Sequence, residues 1–421
     1  MAPLIHGTSP PEIRNHSDDS LSKRAVSVVG TGSHYPPHEL RSDELEKLIS
    51  PFHDPNDPAV RKTLYVNEKS RIQTRRAAVP FDDPFWSDPK LPDIAECDVL
   101  FRKYGVPVAE EAARKALADW NGSFNDLTHV VVVTCTNTAN PGLDYMICER
   151  LGLRKNVQRT LLHGVGCAGG AAALRTANEL LLGAAFQGKP GRALVVACEI
   201  CMIFFRSMLE DIVKAQEANV AMTLFGDGAG AMVLSNGICP KTSERAPLWN
   251  ILNCRTTLLE DSASSIQFNI RPHGTQLILP FYSRVRLAKI QAGYDPVITK
   301  EVPGQTSAAL PSGFQDLISS TPSLYSDKSN FDPSSYDWAL HPGGYSIAVL
   351  AQNALGITEH HLRKTYEVYR SRGNTSSSTV ISVINELARE QGTSESGRDK
   401  VIVAAFGPGI TMELAVMARP A

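Results

Sequence analysis

Val130 to Val133 form an unbroken apolar run inside the segment Thr128–Cys135, the pattern of a strand buried on both faces of a sheet. Shorter apolar runs predict strands at Val26–Val29, Ala193–Ile200, Ala229–Ser235, Tyr336–Leu340 and Val401–Phe406. Between them the period changes. Val108, Ala112, Ala116 and Trp120 recur every fourth position and predict an amphipathic helix over Val108–Trp120. Further helices are expected at Tyr345–Leu355, at Thr379–Arg389, and in the small-residue stretch Ala168–Leu174. Strands alternating with helices in this way argue for α/β layers. One stretch has no such period. Residues 299–335 are rich in Ser and Pro and contain Pro303-Gly, Pro311-Ser-Gly and Asp332-Pro-Ser-Ser, so they read as a loop: an insertion without catalytic role or, alternatively, a lid.

Composition narrows the classes. With 421 residues, 43% of them hydrophobic, the chain is long enough for a large core and for two domains or two fused halves. Its formal charge is −2, from 42 basic and 44 acidic residues, which gives no electrostatic case for nucleic acid or an anionic membrane as principal partner. No apolar run reaches the length that a membrane-spanning helix requires, so no membrane span is expected. Residues 1–24 are polar, lack the apolar core of a signal peptide, and are expected to form a flexible arm on a cytoplasmic protein. Eight cysteines are too sparse for a disulfide scaffold and suit reduced thiols. Cys198-Glu-Ile-Cys201 lies on a predicted strand without a second pair or nearby histidines, and reads as core rather than as a metal site.

Among those cysteines Cys167 is placed differently. It sits where the run Thr160–Gly166 meets the small-residue helix, and a helix N-terminus favours thiolate over thiol. The small residues after it let that helix pack closely and leave room above the sulfur for a carbonyl. His341 ends a predicted strand before Pro342-Gly-Gly344, and Asn374 opens the predicted helix Thr379–Arg389. All three thus fall at strand–helix or loop–helix junctions, where sites assemble in α/β sheets. A cysteine can attack a thioester while His and Asn donate hydrogen bonds to the developing oxyanion. An Asn that caps a helix and a histidine in a loop are the competing structural readings.

In these residues the chain resembles the type III polyketide synthases, the chalcone and stilbene synthase family, and more closely the fungal branch that forms alkylpyrones and alkylresorcinols. The resemblance runs from about Val26 to the C-terminus and rests on five motifs in the family's order. They are Gly166-Cys167 with its small-residue helix, Phe225-Gly-Asp-Gly-Ala229, His341-Pro-Gly-Gly344, Gly373-Asn374-x-Ser376-Ser377 and Phe406-Gly-Pro-Gly409. A ketoacyl-carrier-protein synthase III is the nearest alternative, and it typically follows its histidine with Gln-Ala-Asn and lacks the proline at the position of Pro408. An inactive acyl-CoA-binding homologue is the non-enzyme alternative; the intact Cys, His and Asn argue against it.

The resemblance implies a thiolase-like fold of two similar halves in αβαβα layers, an N-terminal half 25–250 with the nucleophilic cysteine and a C-terminal half 251–421 with His and Asn. It further implies a homodimer that condenses an acyl-CoA starter with malonyl-CoA, repeatedly and with loss of carbon dioxide, without a carrier protein and without a metal or redox cofactor. Cys167, His341 and Asn374 take the catalytic positions. Phe225 matches the gatekeeper aromatic, and Leu277 stands where plant members have a second aromatic. Phe204 and Phe268 replace small residues of the cavity wall. Asn137 replaces a threonine of a hydrogen-bond network in which Glu199 and Ser376 remain, and Thr138 and Pro408 complete the pocket set. The ring-closing mode, lactone or aldol, stays open. For CoA, Lys62 and Lys69 match two basic positions that meet its phosphates, Tyr65 stands at a third, and Gly343 and Ser346 lie along the pantetheine arm. Arg75 and Arg76 read equally well as part of this cluster or as a solvated basic face.

Overall fold

In the computed structural model, which describes residues 25–273, 291–390 and 397–420, the consecutive valines lie in a strand held between two parallel neighbours. In chain order the strands are β1 Val26–His34, β2 His38–Arg41, β3 Thr74–Ala77, β4 His129–Val133, β5 Gln158–Leu162, β6 Arg192–Ile200 and β7 Asp227–Ser235. They continue as β8 Trp249–Leu258, β9 Ile266–His273, β10 Gln291–Ile298, β11 Asp337–Leu340, β12 Lys400–Gly407 and β13 Thr411–Ala418. Nine of them form one sheet in the order β11-β12-β13-β8-β1-β7-β6-β4-β5, while β2 pairs with β3 and β9 with β10.

The sheet repeats one pattern. Before it the pairing runs β4 parallel to β6, β6 antiparallel to β7, and β7 antiparallel to β1; after it β11 is parallel to β12, β12 antiparallel to β13, and β13 antiparallel to β8. The two sets meet where β1 pairs with β8. Alternation along each strand then feeds two cores. Val130 and Val132 pack outward with Ala109, Ala112 and Ala116 of the helix Val106–Trp120, whereas Val131 and Val133 pack inward with Ala171, Leu174, Val380 and Ile384. In the second half Val401 and Val403 face that same inner core, and Ile402 and Ala404 face Leu310 and Phe314 on the other side. The inner layer is a pair of helices, Gly169–Phe186 and Ser378–Arg389, that touch each other. The result is the expected thiolase-like αβαβα arrangement.

The loop expected over residues 299–335 is corrected. Val302–Ser319 is a helix, and Val302, Leu310, Phe314, Leu317 and Ile318 are buried along it. It packs on β8 and β13 as Val106–Trp120 packs on β1 and β7, so it is the outer layer of the second half and not an insertion. Pro303 falls in the first turn, where a missing N–H costs nothing. Pro311 lies inside the helix, and its side chain together with Gly and Ser masked the helical period. No helix among the described residues is long and apolar enough to cross a membrane. The arm 1–24 and Leu277 lie outside the described residues.

Candidate active site

After β5 the chain turns through Gly164 and Gly166, both at positive φ (75° and 49°), into a short turn Gly166–Ala168 and then the helix Gly169–Phe186. A side chain at Gly166 would put its Cβ 2.6 Å from Pro408 Cδ, and one at Gly170 would put it 2.3 Å from the Ser377 carbonyl oxygen. The glycines therefore let the two inner helices meet at their N-terminal ends, and the residues just ahead of each helix face one space. Cys167 Sγ donates to Ser376 Oγ at 3.7 Å, and both line one cavity.

His341 follows β11, its backbone N–H donating to Ala404 O at 2.7 Å. Its ring is buried, and neither ring nitrogen has a hydrogen-bond partner among the described residues. Asn374 forms a parallel bridge with Phe225, giving its N–H to Leu224 O and accepting from Gly226 N, so Phe225 and the asparagine are fixed by one short backbone ladder. Asn374 Oδ1 accepts from the Ser376 N–H at 2.7 Å, which holds Ser376 in the left-handed region at φ 50°, and Nδ2 donates to Gly343 O at 3.3 Å in the loop after His341.

The electrostatics differ from the thiolate expected at a helix N-terminus. Burial pushes the Cys167 thiol up to about 11 and the His341 imidazole down to about 3, so each group taken singly is neutral near pH 7. Hydrogen bonds from Ser376 and Asn374 act the other way on the sulfur, and the Glu199 charge adds to the effect of burial.

Glu199, at the end of β6, is wholly buried and accepts from the N–H groups of Cys135 and Thr136 and from the hydroxyls of Thr134, Thr136 and Ser377. Burial raises its pKa. Asn137 is not in this network: its Nδ2 donates to Asp98 at 2.8 Å and its Oδ1 accepts from the Ala139 N–H. Thr138 is exposed and does not line the cavity. The residue that joins the network is Cys135, whose Sγ lies 3.4 Å from Glu199 and 3.5 Å from Ser376 Oγ. The register carries the signal. Val133 pairs with Ala197 in the parallel ladder, which places Cys135 opposite Glu199, a relation hidden until the strands are paired.

Phe204, Phe225, Phe268 and Pro408 line the cavity as expected, with Phe204 and Phe268 edge to face at 5.4 Å. Met208, Ile266, Pro296 and Ile298 line it as well, without having been singled out in the sequence, and so does Cys201, expected in the core and buried. Lys62 and Lys69 are exposed on the helix Pro58–Lys69; Lys69 pairs with Glu68 at 2.9 Å and lies 5.2 Å from the centre of the Tyr65 ring. Ser346 is exposed in the first turn of the helix Tyr345–Leu355. Arg75 belongs to no solvated face: it is buried, donates to Met222 O and Asn67 Oδ1, and has its pKa lowered to about 10 by burial. Arg76 is ion-paired with Glu39.

Comparison with known proteins places this geometry. The profiles of the chalcone and stilbene synthases match at residues 88–237 for the N-terminal domain and 274–419 for the C-terminal domain. The acylalkylpyrone synthase csyB of Aspergillus oryzae is 46% identical over 96% of each chain, and the type III polyketide synthase pspB of Penicillium soppii is 36% identical over 97% of this chain and 98% of its own. Among solved structures, CsyB complexed with CoA-SH superposes with a TM-score of 0.88 at 45% identity, covering 94% of this chain and all of that one. A type III pentaketide synthase from Neurospora crassa gives 0.84 at 35% identity over the same share of this chain and 100% of its own. Motifs, layered fold and relatives agree, and the chain belongs to the chalcone and stilbene synthase family as a type III polyketide synthase, an acyltransferase.

Proposed function

We propose that the enzyme loads a medium- or long-chain fatty acyl group from CoA onto Cys167, extends it with malonyl-CoA by decarboxylative condensation, and closes the product to an alkylpyrone or alkylresorcinol-type ring. The observation that carries this reading is the cavity into which the Cys167 sulfur opens: Phe204, Phe225, Phe268, Pro296, Ile298 and Pro408 give it an apolar wall, and the Asn374 side chain hydrogen-bonds the sulfur. The acylalkylpyrone synthase among its relatives favours the pyrone.

In the proposed cycle the Cys167 thiol attacks the starter thioester as neutral His341 takes its proton, and CoA leaves as the thiol. Malonyl-CoA then binds with its thioester oxygen toward His341 and Asn374. Their N–H groups stabilise the enolate left by loss of carbon dioxide, and the enolate carbon attacks the acyl carbonyl on Cys167. Lys62, Lys69, Gly343 and Ser346 hold the CoA. Kinship supports the rest of the reading: a cytoplasmic homodimer divided into halves 25–250 and 251–421, acting on free CoA thioesters with neither carrier protein nor bound cofactor.

Purified protein incubated with malonyl-CoA and starters from acetyl- to stearoyl-CoA, plus coumaroyl-CoA, tests the reading through its products. Turnover is expected to peak with a medium or long acyl chain. A flat response, or better turnover with coumaroyl-CoA, removes the aliphatic starter.

A further inference from the structure

Asp227, in the motif Phe225-Gly-Asp-Gly-Ala229, is a buried carboxylate that the proposed cycle does not use. It opens β7, paired with Ile200 at the end of β6. Among the described residues no cation pairs with it, and burial raises its pKa to about 7. It has two backbone donors instead, one for each oxygen: Oδ1 accepts from the Met202 N–H at 2.8 Å and Oδ2 from the Ala78 N–H at 2.7 Å.

Met202 is the second residue of the short turn Cys201–Phe204, which runs directly into the helix Phe205–Ala215. The first N–H groups of a helical run have no partner inside it, and Ile200, just ahead of the turn, has no polar side chain to cap it. Asp227 supplies that acceptor from the neighbouring strand, where a negative charge also suits the positive end of the helix. The same helical run places Cys201, Phe204 and Met208 on the cavity wall, while Phe225, two residues before Asp227, lines the cavity and bridges to Asn374. One carboxylate therefore joins the segments that carry two of the cavity's aromatic residues.

We propose that Asp227 is a positioning residue: by holding the start of the helical run against the strand that follows Phe225, it fixes the spacing of Phe204 and Phe225 and so the starter that the cavity selects. The inference rests on the reading of this cavity as the acyl site. An ionised carboxylate is suited to the task because it accepts from both N–H groups at once, whereas an amide offers one acceptor and turns its own N–H toward the other donor.

The test is the starter profile of Asp227→Asn and Asp227→Ala beside wild type, read as the ratio of kcat/KM for the best fatty acyl-CoA to that for coumaroyl-CoA. Both values come from one preparation, so a loss of folded protein cancels in the ratio. Asparagine matches aspartate in size and keeps one acceptor, so that variant decides the matter should the alanine variant fail to fold. The ratio is expected to fall on the order of tenfold in Asp227→Asn, the worth of one methylene's fit in an apolar pocket, and further in Asp227→Ala. Equal losses with every starter, leaving the ratio at its wild-type value, would make Asp227 a support of the fold alone and overturn the proposal. A wild type without preference for fatty acyl starters instead overturns the reading of the cavity on which it rests.

Discussion

The helix Gly169–Phe186 in the first half and the helix Ser378–Arg389 in the second are counterparts: each leads into the equivalent strand of its half, β6 or β12, and each begins at the same cavity. Their leading residues differ. Ahead of the first stands a thiol, Cys167, on a turn of glycines; ahead of the second stand an amide and hydroxyls, Asn374 and Ser376, on a turn held by the amide's own hydrogen bond to the Ser376 N–H. A repeated architecture has thus brought two helix N-termini together, and in the proposed cycle the chemistry is divided between them, a nucleophile from one half and oxyanion donors from the other. The division can be broken at either side. Cys167→Ala is expected to abolish acyl loading yet leave some decarboxylation of malonyl-CoA. Asn374→Ala should still load starter but lose decarboxylation by about a hundred- to a thousandfold, the cost of one oxyanion donor. Intact-protein mass spectrometry and carbon dioxide release separate the two. An acyl adduct at the active site of the Cys167→Ala protein would falsify the assignment.

The closeness of the two helices is the next feature to test. A Cβ at Gly170 would overlap the Ser377 carbonyl oxygen of the other helix, whereas one at Gly183, further along the same helix, meets nothing within 4 Å. Gly170→Ala is expected to cost about 1–3 kcal/mol through overpacking, and Gly183→Ala to stabilise by about 0.5–1 kcal/mol through helix propensity. Denaturant unfolding reads both. Equal effects at the two positions would mean that the helix junction yields more easily than the geometry says.

What the sequence could tell about these halves follows from where the information is local. Val130 to Val133 announced a doubly buried strand because period is a property of the segment itself, and Cys167, His341 and Asn374 stood out because junction residues are visible without tertiary structure. Cys135 did not. Its meeting with Glu199 depends on the pairing of β4 with β6, and the sequence reading put Asn137 there instead. Arg75 was ambiguous for the same reason: only packing shows that its guanidinium ends on Met222 O and Asn67 and not in solvent. The helix Val302–Ser319 was missed because proline, glycine and serine carry strong local signals for a loop, and burial against β8 and β13 overrides them.

Between the halves the proton of Cys167 gives a smaller effect. Burial raises the thiol to about 11 and depresses His341 to about 3, and the proposed cycle has the cysteine pass its proton to that imidazole. With His341→Ala the acceptor is gone while the sulfur stays buried. Alkylation by iodoacetamide is therefore expected to follow a higher pKa in the variant than in wild type, each unit of difference measuring about 1.4 kcal/mol of pairing. The sign is fixed: the variant should be alkylated more slowly at pH 7 and approach wild type only as the pH rises. Coincident profiles would show that the cysteine draws nothing from the histidine.

The outer helices offer the mildest contrast, since both carry a proline and handle it differently. In the first half Pro107 lies in the first turn of Val106–Trp120, directly after the π turn Phe101–Gly105, as Pro303 lies in the first turn of the second half's helix, where a missing N–H costs little. In the second half Pro311 interrupts the helix Val302–Ser319 in its interior, so a backbone bond is lost and the ring presses on the preceding turn. Replacing a helix-interior proline restores up to about 3 kcal/mol of propensity, and the freer unfolded chain takes back about 0.4–1 kcal/mol of it. Part of the remainder goes to repacking, because Leu310 and Phe314 on either side of the proline are buried against β13. Pro311→Ala is therefore expected to stabilise by about 1 kcal/mol, and Pro107→Ala by less. Thermal unfolding of the two single variants beside wild type decides it. A fall in stability at Pro311→Ala would mean that the second half needs the bend to seat its outer helix, and the two outer layers would then be related in position but not in shape.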